Sequence, residues 1–178
     1  MDIVSRLNEF SAEEAKVLFL RCCGSTNWVE KMVQRRPYRT VEEILDTADR
    51  IWWHELDRAD VLESFGHHPK IGDIGTLRAK YADTKVWAEN EQSGMNQAAE
   101  DTLQELAKGN QDYERKFGYI FIICATGKTA TQMNDMLQAR LPNDRETEIH
   151  VAMGEESKII QIRMQKLLSE LATSPPKL

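Results

Sequence analysis

Cysteine is scarce in this chain: three residues in 178, at positions 22, 23 and 124. An odd count with one adjacent pair does not describe a disulfide framework, and reduced thiols in a cytoplasm are expected. Glycine (9) and proline (5) are sparse and scattered, so no flexible linker divides the sequence, and no internal repeat is visible. Positive charge is in deficit. Lys and Arg number 23 against 29 Asp and Glu, a net charge of −6, which excludes the basic face of a general nucleic-acid binder. Apolar runs are short, and none approaches the ~18 residues of a membrane span. The opening MDIVSRLNEF mixes charge with apolar residues, unlike a signal peptide. The closing Pro-Lys-Leu differs at its first position from the Ser-Lys-Leu peroxisomal address.

Apolar residues make up 41% and charged ones 29%, the composition of a folded globular protein rather than a disordered chain. Its length suits one domain with its own core. The local signals are helical. Ser11-Ala12-Glu13-Glu14 reads as a capping box, in which the Ser11 hydroxyl accepts from a first-turn amide and Glu14 reaches back. Thr40 with Glu43 and Thr129 with Gln132 repeat the device, and Asn143 with Glu146 is a fourth candidate. Behind the caps, apolar residues recur at helical spacing: Ala15, Leu18, Phe19 and Cys22 after the first, Met133, Met136, Leu137 and Leu141 after the third. A further helix is expected from about Met95 or Asn96 to Lys108, closed by Gly109-Asn110. The last helix is expected from about Thr147 to Leu171, weakened in its middle by Gly154. The only strand-like run covers 119–125. One such run cannot make a sheet, so it is read as a buried helix or extended segment. The expectation is an all-α, single-domain helical bundle of about six to nine helices over residues 1–172, with a tail at 173–178.

Several chemical-looking patterns do not hold. Gly127-Lys128-Thr129 ends like a phosphate-binding loop, but the glycine required five residues earlier is Ile122. His54-Glu55 begins a metalloprotease pattern, and Arg58 stands where the second histidine belongs. The side chains of His67 and His68 diverge, and no Cys or His lies at ligand spacing from them. Cys124 lies inside an apolar run, the setting of an inert thiol.

Three places resist a purely structural reading. In Gly66-His67-His68-Pro69-Lys70-Ile71-Gly72-Asp73, the proline pushes His68 out of the helical region. That aims a ring able to exchange protons near neutrality. A polar turn between helices explains the pattern equally well. Glu89, Glu91 and Gln92 cluster just before a helix start, where a solvated face is the plainer explanation. Arg163 shares the stripe formed by Ile160, Met164, Leu167 and Leu171. A guanidinium at the edge of a core must be paired, snorkel outward or meet an anionic ligand.

Taken in order along the chain, these pieces resemble the 2-oxo-4-hydroxy-4-carboxy-5-ureidoimidazoline (OHCU) decarboxylase family from Phe10 to about Leu168. The residues that carry the resemblance are His68-Pro69 followed by a glycine, Glu91-Gln92, the run from Phe117 to Ala125, Arg140-Leu141 with Asn143-Asp144, and Lys158-Ile159 leading to Ile162-Arg163. The resemblance implies an all-helical fold, a homodimer, a small-molecule substrate, and no metal or organic cofactor. It implies loss of CO2 from the ureidoimidazoline and protonation on one face to give (S)-allantoin, in urate breakdown. By position, His68 matches the catalytic histidine and Glu91 the catalytic carboxylate. Pro69, Ala88, Gln92 and Arg163 fall at substrate-contacting positions, and Phe121, Ile122, Ile123, Cys124 and Ala125 match a segment whose backbone lines the substrate. Two departures stand out. Ala88 replaces a serine found in many members, and Lys70-Ile71-Gly72-Asp73 replaces a Leu-Ala-Gly continuation.

The residue types suit that chemistry. The carbon losing CO2 carries a hydroxyl and adjoins an unsaturated ring that accepts the electrons. Fixed backbone donors and an arginine stabilise the moving charge, and a histidine handles the proton. As a turn residue before Pro69, His68 is expected to add little to stability. Two other readings stand beside this one: a non-catalytic helical interaction module, and a decarboxylase of a related ureido or imidazole acid.

Overall fold

The structure, a computed structural model, describes residues 2–68, 75 and 92–173, the side chains of 92–99 excepted. Among the described residues there are eight helices and no strand, as expected for the all-α class. They are α1 (Ile3–Glu9), α2 (Ala12–Leu20), α3 (Thr26–Gln34), α4 (Val41–His54), α5 (Arg58–Gly66), α6 (Gln92–Phe117), α7 (Ala130–Arg140) and α8 (Arg145–Thr173). The chain folds as two compact units, Met1–His68 with Met153–Leu178, and Pro69–Ala152. Helix α8 contributes to both. No helix among the described residues is long and apolar enough to cross a membrane.

In the first unit the helix starts follow local chemistry. Ser11 and Glu14 form the full capping box. Thr40 accepts from the Glu43 amide at 3.0 Å, but the reciprocal half is missing. The Glu43 carboxylate turns instead to the Arg39 amide and guanidinium. Ser25 caps α3, and Asp57 caps α5 with Asp60 reaching back. Neither cap is evident from sequence, because each lacks a Glu or Gln three residues on. Leu18, Phe19, Trp28, Met32, Ile44, Ile51, Trp52 and Phe65 are buried with Ile160, Met164 and Leu171 of α8. Truncating such a core aromatic costs about 3–5 kcal/mol. Both buried indoles find acceptors: Trp28 Nε1 donates to the Ala48 carbonyl and Trp52 Nε1 to that of Met153, each at 3.0 Å.

The second unit corrects two expectations and decides between the alternatives of a third. Helix α6 does not close at Gly109-Asn110 but continues to Phe117, where Gly118 at φ +85° ends it. Gly109 serves packing instead: a Cβ there would stand 2.6 Å from the Leu137 side chain of α7. The run at 119–125 is non-helical and pairs with no strand. The cap of α8 is Asp144, whose Oδ1 accepts from the Glu146 and Thr147 amides. Asn143, one residue earlier, points its amide at Glu148. Gln132 and Thr129 complete the capping box of α7.

Candidate active site

Helix α5 ends at Gly66 and His67 caps it. His68 follows, its amide still bonded to the Phe65 carbonyl at 3.3 Å. The proline after it forbids a further helical turn. This places His68 four residues after Ser64, on the same side of the last turn. Both meet one side chain of α8. His68 Nε2 lies 2.5 Å from Glu156 Oε2, and Ser64 Oγ donates to Glu156 Oε1 at 2.9 Å. Ser64 and Glu156 are fully buried, and the His68 side chain is 12% exposed. Cys23 Sγ lies 3.4 Å from Ser64 Oγ. Burial pushes the Cys23 thiol up to about 12, so it remains an S–H group. His67 is exposed, although its Cβ packs where a side chain on Gly24 would stand.

His68 is therefore more than a turn residue. Its ring faces a carboxylate removed from water, a contact that the expectation of little stabilising effect did not include. Arg163 follows Glu156 by seven residues, two turns along the same face, or about 10 Å. It is half-buried beside the buried stripe of Ile160, Met164 and Leu167. Among the described residues it has no ion-pair partner, and its charge acts on the Cys22 thiol, which burial raises to about 12. Glu156 was not anticipated. The available signal is its place four residues before Ile160 and seven before Arg163, a carboxylate on the apolar stripe.

The second unit holds the segment that the resemblance assigns to the substrate. Ile122, Ile123 and Cys124 are buried, and Phe121 and Ala125 are partly so. Arg140 fixes the segment. Its Nη1 donates to the Ile122 carbonyl at 2.8 Å, and its guanidinium lies 4.5 Å from the Phe121 ring centre. Arg140 Nε and Nη2 also meet Glu148 Oε1, at 2.8 and 2.6 Å. Tyr113 donates to the same oxygen at 2.5 Å, and Asn143 donates to Oε2 at 2.8 Å. Burial, then the bond to Glu148, pushes the Tyr113 hydroxyl far above its ordinary value, so it stays a donor. Lys128 Nζ binds the Cys124 carbonyl at 2.6 Å. The Ile122 and Cys124 carbonyls are thus committed within the protein.

Pro69, Ala88 and Glu91 lie outside the described residues. Gln92 opens α6, its side chain also outside them. Among the described residues no group of three His, Cys, Asp or Glu side chains is placed to hold a metal ion. The arrangement offers a half-buried imidazole with Nε2 held by a buried carboxylate and, on the same face of α8, a cation with no ion-pair partner among the described residues.

The model of the OHCU decarboxylase family matches residues 8–165. The uric acid degradation bifunctional protein TTL of Arabidopsis thaliana is 36% identical over 166 residues, covering 92% of this chain and 49% of that protein. The chain thus spans about half the length of that curated relative. The 2-oxo-4-hydroxy-4-carboxy-5-ureidoimidazoline decarboxylase of Haloferax volcanii is 23% identical over 167 residues, covering 93% of this chain and 94% of that protein. A crystal structure of OHCU decarboxylase in the presence of (S)-allantoin superposes with a TM-score of 0.69 at 34% identity, over 90% of this chain and 99% of that one.

Proposed function

With its match running over most of the sequence, the chain belongs to the OHCU decarboxylase family, and from that premise we propose that it decarboxylates 2-oxo-4-hydroxy-4-carboxy-5-ureidoimidazoline to (S)-allantoin. The observation that carries the reading is the family match across residues 8–165. The imidazole of His68, held by Glu156 at the position expected of the catalytic histidine, supports it.

The reaction needs no external electron sink. The bond from the hydroxyl-bearing ring carbon to its carboxylate breaks, and CO2 leaves. The bond pair forms a carbon–carbon double bond with the ureido-bearing ring carbon, the displaced carbon–nitrogen pair moves onto the ring nitrogen, which takes up a proton from solvent, and an enol results. The hydroxyl then loses its proton and becomes a carbonyl, while the ring carbon bearing the ureido group gains one. His68 is the group that exchanges this proton, and Arg163 binds the anionic or carbonyl part of the substrate. Glu91 binds polar donors of the substrate. Pro69, Ala88, Gln92 and the backbone of 121–125 are the further substrate-contacting positions that the resemblance implies. We place the protein in the cytoplasm as a homodimer acting without a metal or organic cofactor. The free, buried Cys22, Cys23 and Cys124 fit a reducing compartment.

The test is circular dichroism with time. Urate, urate oxidase, the hydrolase that follows it and this protein are mixed, and the allantoin signal is recorded. Rapid appearance of the S enantiomer alone, unchanged by a chelator, is expected. Racemic allantoin at the uncatalysed rate overturns the activity, and loss restored by a divalent ion overturns the cofactor-free mechanism.

A further inference from the structure

We propose that Glu156 is the positioning residue of His68, fixing the ring as the Nε2–H tautomer so that Nδ1 is the atom that exchanges the substrate's proton. The proposal rests on the functional reading above for what the proton is used for, and on geometry alone for the tautomer.

A carboxylate as buried as Glu156 is costly unless its oxygens meet donors. Each oxygen has one: Ser64 Oγ at Oε1 and His68 Nε2 at Oε2. An ionised carboxylate only accepts. With the acid ionised the hydrogen between ring and acid sits on Nε2, and a neutral ring then carries its lone pair on Nδ1. The support continues one step further. Ser64 gives its only proton to Glu156, so the 3.4 Å contact with Cys23 has the thiol as donor. One direction of donation runs from Cys23 to Ser64 to Glu156, and His68 donates to the same acid from the other side. Since Ser64 and His68 lie on one turn, a single carboxylate sets both the end of α5 and the rotation of the ring. Carboxylates that orient ligating histidines act this way, and their loss typically costs about 10–100-fold.

The experiment combines spectroscopy with kinetics. In protein labelled with 15N at histidine, the His68 ring signals, assigned by their loss in His68→Asn, report the tautomer without reference to activity. A resting enzyme with a single Nε2–H tautomer is expected. Glu156→Gln keeps the volume but loses the charge, and its amide can turn a donor toward the ring. It should populate both tautomers and lower kcat by about 10-fold or more with little change in KM. An Nδ1–H tautomer in the unaltered protein, or full kcat in Glu156→Gln, overturns the proposal. Should Glu156→Gln not fold, Ser64→Ala decides: the ring–carboxylate contact remains, so the Nε2–H tautomer must persist, and its absence overturns the assignment. If the protein lacks decarboxylase activity, the functional reading fails while the tautomer still tests the role of Glu156.

Discussion

Glu148 and Glu156 lie eight residues apart on α8, and both are fully buried. What they meet differs. Glu148 receives a guanidinium, a phenol and an amide, of which Arg140 is charged at any pH the protein meets. That pair is a strut, and its reach ends at the Ile122 carbonyl. Glu156 receives a hydroxyl and an imidazole. An imidazole, unlike a guanidinium, is a side chain that serves in proton exchange. The lesson is that burial of an acid does not by itself mark a site of chemistry; the partner does.

The comparison can be broken most forcefully at Arg140. Arg140→Met leaves Glu148 buried without its cation and frees the Ile122 carbonyl, and a loss of about 3–5 kcal/mol in folding stability is expected. Urea unfolding followed by far-ultraviolet dichroism measures it. A loss below about 1 kcal/mol, the range of a surface ion pair, would show that the strut bears no weight.

The contrast sharpens at His68. His68→Asn should lower turnover by about 10²-fold or more and destabilise less than Arg140→Met, because Ser64 still donates to Glu156. His67→Asn is the control, one residue away and exposed, and should keep most activity. Steady-state kinetics on the pair decides: if His67→Asn cripples and His68→Asn does not, the imidazole at Glu156 is another strut.

Glu55 provides a third kind of acid, with the smallest expected effect. Burial alone would raise it, but Arg35, Lys31 and Arg50 together outweigh burial and hold it below the ordinary carboxylate range. A carboxyl lowered on folding stabilises above its unfolded value, about 4.3, and loses that contribution as pH falls through its folded value. The gap in urea midpoint between the unaltered protein and Glu55→Gln should therefore be constant from pH 7 to about 5 and shrink in stronger acid. A gap that widens on acidification contradicts the sign.

Much of the helical frame can be read from sequence where the determinants are local. Ser11 with Glu14 and Thr129 with Gln132 need only their own four residues, and both form. Thr40 with Glu43 has the same pattern, yet Arg39 competes for the carboxylate. Gly109-Asn110 misleads for a tertiary reason, since the glycine is required by Leu137 rather than by a helix end. At the site, the break at His68-Pro69 and the stripe of Arg163 are visible in sequence. The acid that holds His68 is 88 positions away, a distance no local pattern spans, and its own signal is a single carboxylate on an apolar face.

The indole of Trp52 has a practical consequence. Its N–H is taken by the Met153 carbonyl, and its ring lies 6.4 Å from that of Phe65. Met153 precedes Glu156 by three residues and Phe65 follows Ser64, so the fluorophore is bracketed by the two chain segments that meet at His68. Trp52 is one of four tryptophans, and its share of the emission, read by difference from Trp52→Phe, is thereby an optical reporter of that junction. Repacking between α5 and α8, whether on ligand entry or after substitution, should register as a change in colour or quenching with no label attached.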